Sequence, residues 1–173
     1  MVDAAPGTSR AVRVAVVLSG ASLLLSLVSL GLVLVLVVAA DVDPLPVQSE
    51  PESATAAQVE AVAHVTLPPG TVFLAAAYTH GLETRLSARF RIAATSLEAF
   101  VDSGDFTAPL TPGLRAVTAS HNVGGGNLWH PDQPTSVSGL VEEQPTADGT
   151  LRSLMLDLDD ADSITVYLYA GRG

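Results

Sequence analysis

Residues 151–169, LRSLMLDLDDADSITVYLY, decide the fold. Leu154, Leu156 and Leu158 recur at every second position, and Ile164, Val166 and Leu168 repeat the pattern. Successive side chains of a strand point to opposite faces, so this period of two predicts two strands, each with one apolar face. Asp159-Asp160-Ala161-Asp162 between them is turn chemistry, because aspartate side chains accept hydrogen bonds from the backbone just ahead. The stretch therefore reads as an antiparallel hairpin whose inward leucines and valines need more strands and a covering layer.

Working upstream, Arg85 to Ile92 shows the same alternation. Leu86, Ala88, Phe90 and Ile92 face one way, and Arg85, Ser87, Arg89 and Arg91 the other, which predicts a strand with one wet side. Thr71 to Thr79 follows the punctuating Pro68-Pro69-Gly70 and reads as a strand, with His80-Gly81 as its turn. Leu114 to Thr118 is a shorter strand candidate. Thr95-x-x-Glu98 has the pattern of a capping box opening a short helix, with Leu97, Phe100 and Val101 as its apolar side and Gly104 as its end. The expectation for 65–173 is one α+β domain, an antiparallel sheet of four or five strands with one short helix.

The N-terminal part has a different composition. Val14 to Ala40 carries no charge. As a helix rising about 1.5 Å per residue it would reach roughly 40 Å, against about 30 Å of hydrocarbon. Arg10 and Arg13 precede this run, and Asp41, Asp43, Glu50, Glu52 and Glu60 follow it. The positive-inside rule then places 1–13 in the cytoplasm, a single transmembrane helix at 14–40 in the plasma membrane, and the rest outside. A signal peptide cleaved after Val38-Ala39-Ala40 is the rival reading, though an h-region is usually shorter. Both readings export the same domain. Ala15, Ser19, Ser22, Ser26 and Ser29 keep small side chains on one helix face, as a homodimer or a partner membrane protein would require. Serines bonding back to their own helix would look the same. Residues 41–64, acidic and carrying Pro44, Pro46 and Pro51, read as an extended stalk. Weak helical turns are expected there around Val59 and Val62.

The chain has 173 residues and a formal net charge of -10. All eight of its basic residues are arginines. With Asp3, Arg10 and Arg13 on the inner side, the outer part is more acidic still. That balance argues against nucleic acid, which is held through basic patches. The absence of cysteine excludes disulfides, thiolate metal sites and a cysteine nucleophile.

The stretch with most chemical interest is Ser120–Pro134, SHNVGGGNLWHPDQP. Gly124-Gly125-Gly126 lacks the Lys-Ser/Thr of a phosphate loop and the spacing of a dinucleotide fingerprint, so no cofactor is expected. A connection this long is functional or loosely held. Trp129, the only tryptophan, has two readings: a plug locking the loop onto the sheet, or an aromatic contact. The candidate contact surface is Trp129 with Asn127, His130 and His121, helped by the row Arg85, Arg89 and Arg91, which suits an anionic partner. The same row could instead pair with the domain's own acids. His121, His130 and Asp132 are a weak imidazole–carboxylate metal set, and His64 and His80 complete the four histidines. Asp157, Asp159, Asp160 and Asp162 offer oxygens for calcium but lack the glycine and final glutamate of an EF-hand. No nucleophile-elbow motif is present.

Leu67-Pro68-Pro69-Gly70, Glu98-Ala99-Phe100, Trp129-His130-Pro131 and the closing Asp157-Leu158-Asp159-Asp160 and Val166-Tyr167-Leu168 carry a loose resemblance. On these the chain resembles small actinobacterial-type exported membrane proteins of unknown function, which pair one N-terminal transmembrane helix with a small outer domain. The resemblance implies that layout and no activity. The function expected is a membrane-anchored extracytoplasmic binding or interaction protein at the cell envelope. The alternatives are a small envelope hydrolase or metal-dependent enzyme using His121, His130 and Asp132, and an accessory subunit acting through its transmembrane helix.

Overall fold

The hairpin forms as its periodicity predicts. In the computed structural model, which describes residues 47–124 and 128–173, strands Leu151–Asp157 (β6) and Ser163–Arg172 (β7) pair antiparallel, with Leu154 opposite Leu168 and Leu156 opposite Val166. All four side chains are buried. Asp160 shapes the turn: its carboxylate accepts from the backbone N–H groups of Asp162 and Ser163 and from the Ser163 hydroxyl. Leu158 falls beyond the end of β6 and is 36% exposed, so it is not the third inward leucine that the alternation predicts.

The hairpin belongs to a seven-stranded antiparallel sheet. Glu52–Ser53 (β1), Val72–Thr79 (β2) and Thr84–Ala93 (β3) make the N-terminal half. Thr111–Pro112 (β4) and Val137–Val141 (β5) complete the C-terminal half, and the strand order is β1-β2-β3-β7-β6-β5-β4. The central β3–β7 ladder runs unbroken from Thr84↔Arg172 to Ala93↔Ser163, joining the first strands to the last. The outermost strands, β1 and β4, have two residues each, and short edges limit edge-to-edge pairing. The sheet is larger than the four or five strands predicted. The class, a small antiparallel sheet with short helices, agrees.

Two helices cover one face. Ala56–Ala63 (α1) starts at a formed capping box: the Thr55 hydroxyl accepts from the Gln58 N–H, and Gln58 Oε1 accepts from the Thr55 N–H. Its Val59 and Ala63 are completely buried against Leu86, Phe90, Leu154, Val166 and Leu168. Residues 47–64, read from the sequence as the outer part of a stalk, are thus part of the packed unit Pro46–Gly173. The short helix predicted near Thr95 is Leu97–Ser103 (α2), with Phe100 buried edge-on against Phe90. Its predicted box does not form. The chain enters α2 through a 3₁₀ turn at Ala94–Ser96, which puts Ser96 at the cap position with no side-chain bond.

The other face is not the wet side expected. Ser87, Met155 and Tyr167 are buried there beneath the segment 113–136, whose Val117 and Trp129 form a second apolar cluster with Val137, Met155 and Tyr167. Leu114 to Thr118 is not a strand. The segment crosses β5 instead of pairing with it, and passes so close to Gly139 that a Cβ there would collide with the Leu114 carbonyl oxygen. The apolar run 14–40 with Ser19, Ser22, Ser26 and Ser29, and Asn127 of the loop, lie outside the described residues. Among the described residues no helix is long and apolar enough to cross a membrane.

Candidate binding surface

The arginine row and the glycine–tryptophan loop, separate features in the sequence, lie against each other in the fold. Strand alternation sends Arg85, Ser87, Arg89 and Arg91 to the face that the loop covers. Arg89 Nη1 donates to the Leu128 carbonyl at 2.6 Å, and its guanidinium lies 5.2 Å from the centre of the Tyr167 ring. The Arg89 Nε is buried with no acceptor among the described residues. The Ser87 hydroxyl accepts from the Val123 N–H. Arg85 Nε donates to the Tyr169 hydroxyl, which holds the Arg85 guanidinium above its ordinary pKa. Arg91 alone of the three is exposed. The row is therefore largely engaged within the protein and is not an open basic strip.

Trp129 is turned inward. It is 7% exposed, its ring meets Tyr167 edge to face at 5.5 Å, and its indole N–H donates to the Thr118 carbonyl. A tryptophan with its one polar atom paired contributes its full apolar area to packing, and the aromatic pair adds about 0.5–1.5 kcal/mol. The base of the loop is fixed as well. Arg115 donates to the carbonyls of Pro131 and Pro134, and the Asp159 carboxylate accepts from the Thr135 N–H and hydroxyl and from the Ser136 N–H. These bonds, led by the Thr135 hydroxyl, hold the Asp159 carboxyl below its ordinary pKa.

Among the described residues the loop exposes Leu128, 56% accessible, and a cavity of ≈ 240 Å³ lies between the loop and β2. Ala75, Ala77, Ser87 and Trp129 line it, together with Ser53 and Asn122. The small side chains of β2 create this space, and the loop is fitted to them: a Cβ on Gly124 would collide with the Ala77 Cβ.

His121 stacks on Tyr169 with ring centres 4.5 Å apart, and its Nδ1 accepts from the Thr118 N–H. Burial, then the nearby Arg85 charge, lowers its pKa. His130 contributes its backbone carbonyl to the Tyr167 hydroxyl. His80 stacks on Tyr78, and His64 lies 3.2 Å from Asp148. Among the described residues no three His, Asp or Glu side chains come together as a metal site, so His121, His130 and Asp132 do not form the set considered above.

A second cavity, of ≈ 390 Å³, lies where both helices end. Beneath it is a pair that the sequence reading missed. Arg152 and Glu142, 3% and 4% exposed, bond at 2.6 and 2.7 Å through Nε and Nη2. Arg152 Nη1 donates to the carbonyls of Gly104, Ala63 and, more weakly, His64, the last acceptors of α2 and α1. Helix C-termini leave carbonyls without intrahelical partners and carry partial negative charge, so one guanidinium satisfies two helix ends at once. Its plane also covers the Phe106 ring at 4.4 Å. At the rim Asp148 is bonded by Thr146, Thr150 and Arg172 and holds its proton only well below the usual carboxylate range, the Thr146 hydroxyl being the leading cause. Ser103 also lines this cavity, but its hydroxyl is engaged with the backbone at Thr66 and Phe100. Arg152, Glu142 and Asp148 here are bonded within the fold.

Compared with protein-family models, with curated proteins and with solved structures, the chain matches none.

Proposed function

We propose that this chain is a binding or interaction module held at the outer face of the plasma membrane, and that it presents the loop 113–136 as its contact surface. The supporting observation is that the described parts of the loop are held by Trp129, Arg89, Ser87, Arg115 and Asp159, while Leu128 is exposed and the cavity beside the loop stays open. A loop held in one conformation binds without a further ordering cost. The uncharged run 14–40 supplies the anchor in this reading, with Arg10 and Arg13 inside, and the small-residue face at Ser19, Ser22, Ser26 and Ser29 is a contact for a second copy or a partner helix. The contact residues move outward from Trp129, which is buried, to Leu128 and Asn122.

Because the chain has no cysteine, single-cysteine labelling tests this cleanly. In intact cells a membrane-impermeant maleimide should label Leu128→Cys and leave Thr8→Cys unlabelled. A photo-cross-linker at 128 should give a discrete adduct that the same group at exposed Leu82 does not. Equal labelling of both positions, or equal adducts from 128 and 82, overturns the proposal.

A further inference from the structure

The outer edge of β5 is only partly covered. The Glu142 N–H donates to the Arg152 carbonyl and the Leu158 N–H to the Ser136 carbonyl, so the even-numbered residues along this strand turn their backbone polar groups to β6. Backbone groups alternate between the two edges of a strand, so the odd-numbered residues turn theirs outward. The Val137 carbonyl accepts there from the Gly113 N–H, and Gly139 lies opposite Thr111 of β4. The next outward residue is Val141. Continuing the register of β4 puts Pro109 across from it, and a proline has no N–H to offer. The Val141 N–H and C=O have no hydrogen-bond partner among the described residues.

An open strand edge is a template for another chain, and folded proteins usually cover it. At Val141 a cavity of ≈ 370 Å³ opens instead, with Ala108 and Pro109 on its far side. That side is fixed, because the Thr107 N–H donates to the buried Glu142 carboxylate. Val141 is 45% exposed and is the one residue of β5 that is not buried. Leu151, on the same face and two residues from the Val141 partner Ser153, is equally exposed. An extended main chain meets the free donor and acceptor at once by adding a strand, and lays alternate side chains on this apolar strip. With a net charge of -10 the chain attracts positively charged partners and repels further copies of itself. We infer that the free end of β5 is a docking edge for an extended, basic segment of a partner protein, which pairs its backbone with Val141. This edge is a second contact surface, separate from Leu128.

The probe is a fluorescein-labelled peptide, Lys-Val-Thr-Val-Lys, titrated with the full chain in nanodiscs of neutral lipid and read by fluorescence anisotropy. The expected result is saturable binding. Val141→Pro removes the outward N–H and leaves the β5–β6 ladder intact, because Val141 does not bond to β6. It should weaken the peptide by about tenfold, the equivalent of one hydrogen bond, with the melting temperature unchanged. A peptide N-methylated along its backbone should lose binding by at least about as much, and one with glutamate in place of both lysines should bind more weakly than the parent peptide. If Val141→Pro fails to fold, the N-methylated peptide decides alone. No saturable binding, a Val141→Pro titration or an N-methylated peptide identical to the parent, or equal binding of the glutamate peptide each overturns the assignment. So does self-association of the chain without peptide that Val141→Pro abolishes, because a second copy then fills the edge. The cross-link at position 128 should be unchanged in Val141→Pro, which keeps the two surfaces distinguishable.

Discussion

The two cavities differ in what their polar groups are doing. At the helix ends, Arg152, Glu142, Asp148 and Ser103 are bonded to one another, to helix carbonyls or to neighbouring hydroxyls. Beside the loop, Trp129 and Ser87 are bonded and fix the loop, while the Ser53 and Asn122 side chains make no hydrogen bond to another described residue. A polar group engaged inside the protein stabilises the fold, and one left at the mouth of a hollow is available to a ligand. The difference teaches that the more charged cavity is the structural one.

The largest expected effect breaks the first half of that comparison. Arg152→Ala leaves Glu142 buried without its partner and two helix ends without their donor, and should cost about 3–5 kcal/mol, read by denaturant unfolding. Replacing both partners, Arg152→Met with Glu142→Leu, should recover much of that loss, because a buried pair is often no better than apolar packing. Next is Trp129→Ala, which empties the cluster under the loop and should cost about 3 kcal/mol, the lower end for large aromatic truncations. Gly124→Ala drives a Cβ into Ala77 and should cost about 1–3 kcal/mol by overpacking. Adding Ala77→Gly should restore most of it, a coupling that a double-mutant cycle reads out.

The smallest effect is a pH dependence in the loop. The His121 pKa is lowered in the folded protein, by burial first and by Arg85 second, and its Nδ1 accepts from the Thr118 N–H. The unfolded chain therefore binds this proton more readily, so stability rises with pH across the window. The contribution of the neutral ring is complete above the ordinary value of 6.5 and is lost as pH falls from there toward the lowered one. His121→Asn should flatten the stability–pH profile below pH 6.5, and an unchanged slope contradicts the assignment.

Parts of this were legible in the sequence. The hairpin at 151–169 and the strand at Arg85–Ile92 were readable because each has a buried face of period two. Strand β5 was missed because Ser138 and Gly139 break its apolar pattern, and the glycine is there for the loop that crosses it. Thr55-x-x-Gln58 carried the signal for α1, while the equivalent pattern at Thr95 was overridden by a 3₁₀ entry. The Arg152–Glu142 pair had a readable clue. Arg152 falls in the same alternation as Leu154 and Leu156, so an inward charge needed a partner, but which acid supplied it depended on the pairing of β5 with β6. The seating of the loop on the arginine row is a tertiary fact with no local signal.

The central claim is that the loop is a built part of the sheet, with Trp129 seated against Tyr167. Emission and acrylamide quenching of this single tryptophan in the full chain test it most directly. The account predicts a blue-shifted spectrum that acrylamide barely quenches, and a shift to the red when Tyr167→Ala removes the ring beneath it. A red-shifted, freely quenched Trp129 in the unmodified protein would contradict it and put the tryptophan in solvent.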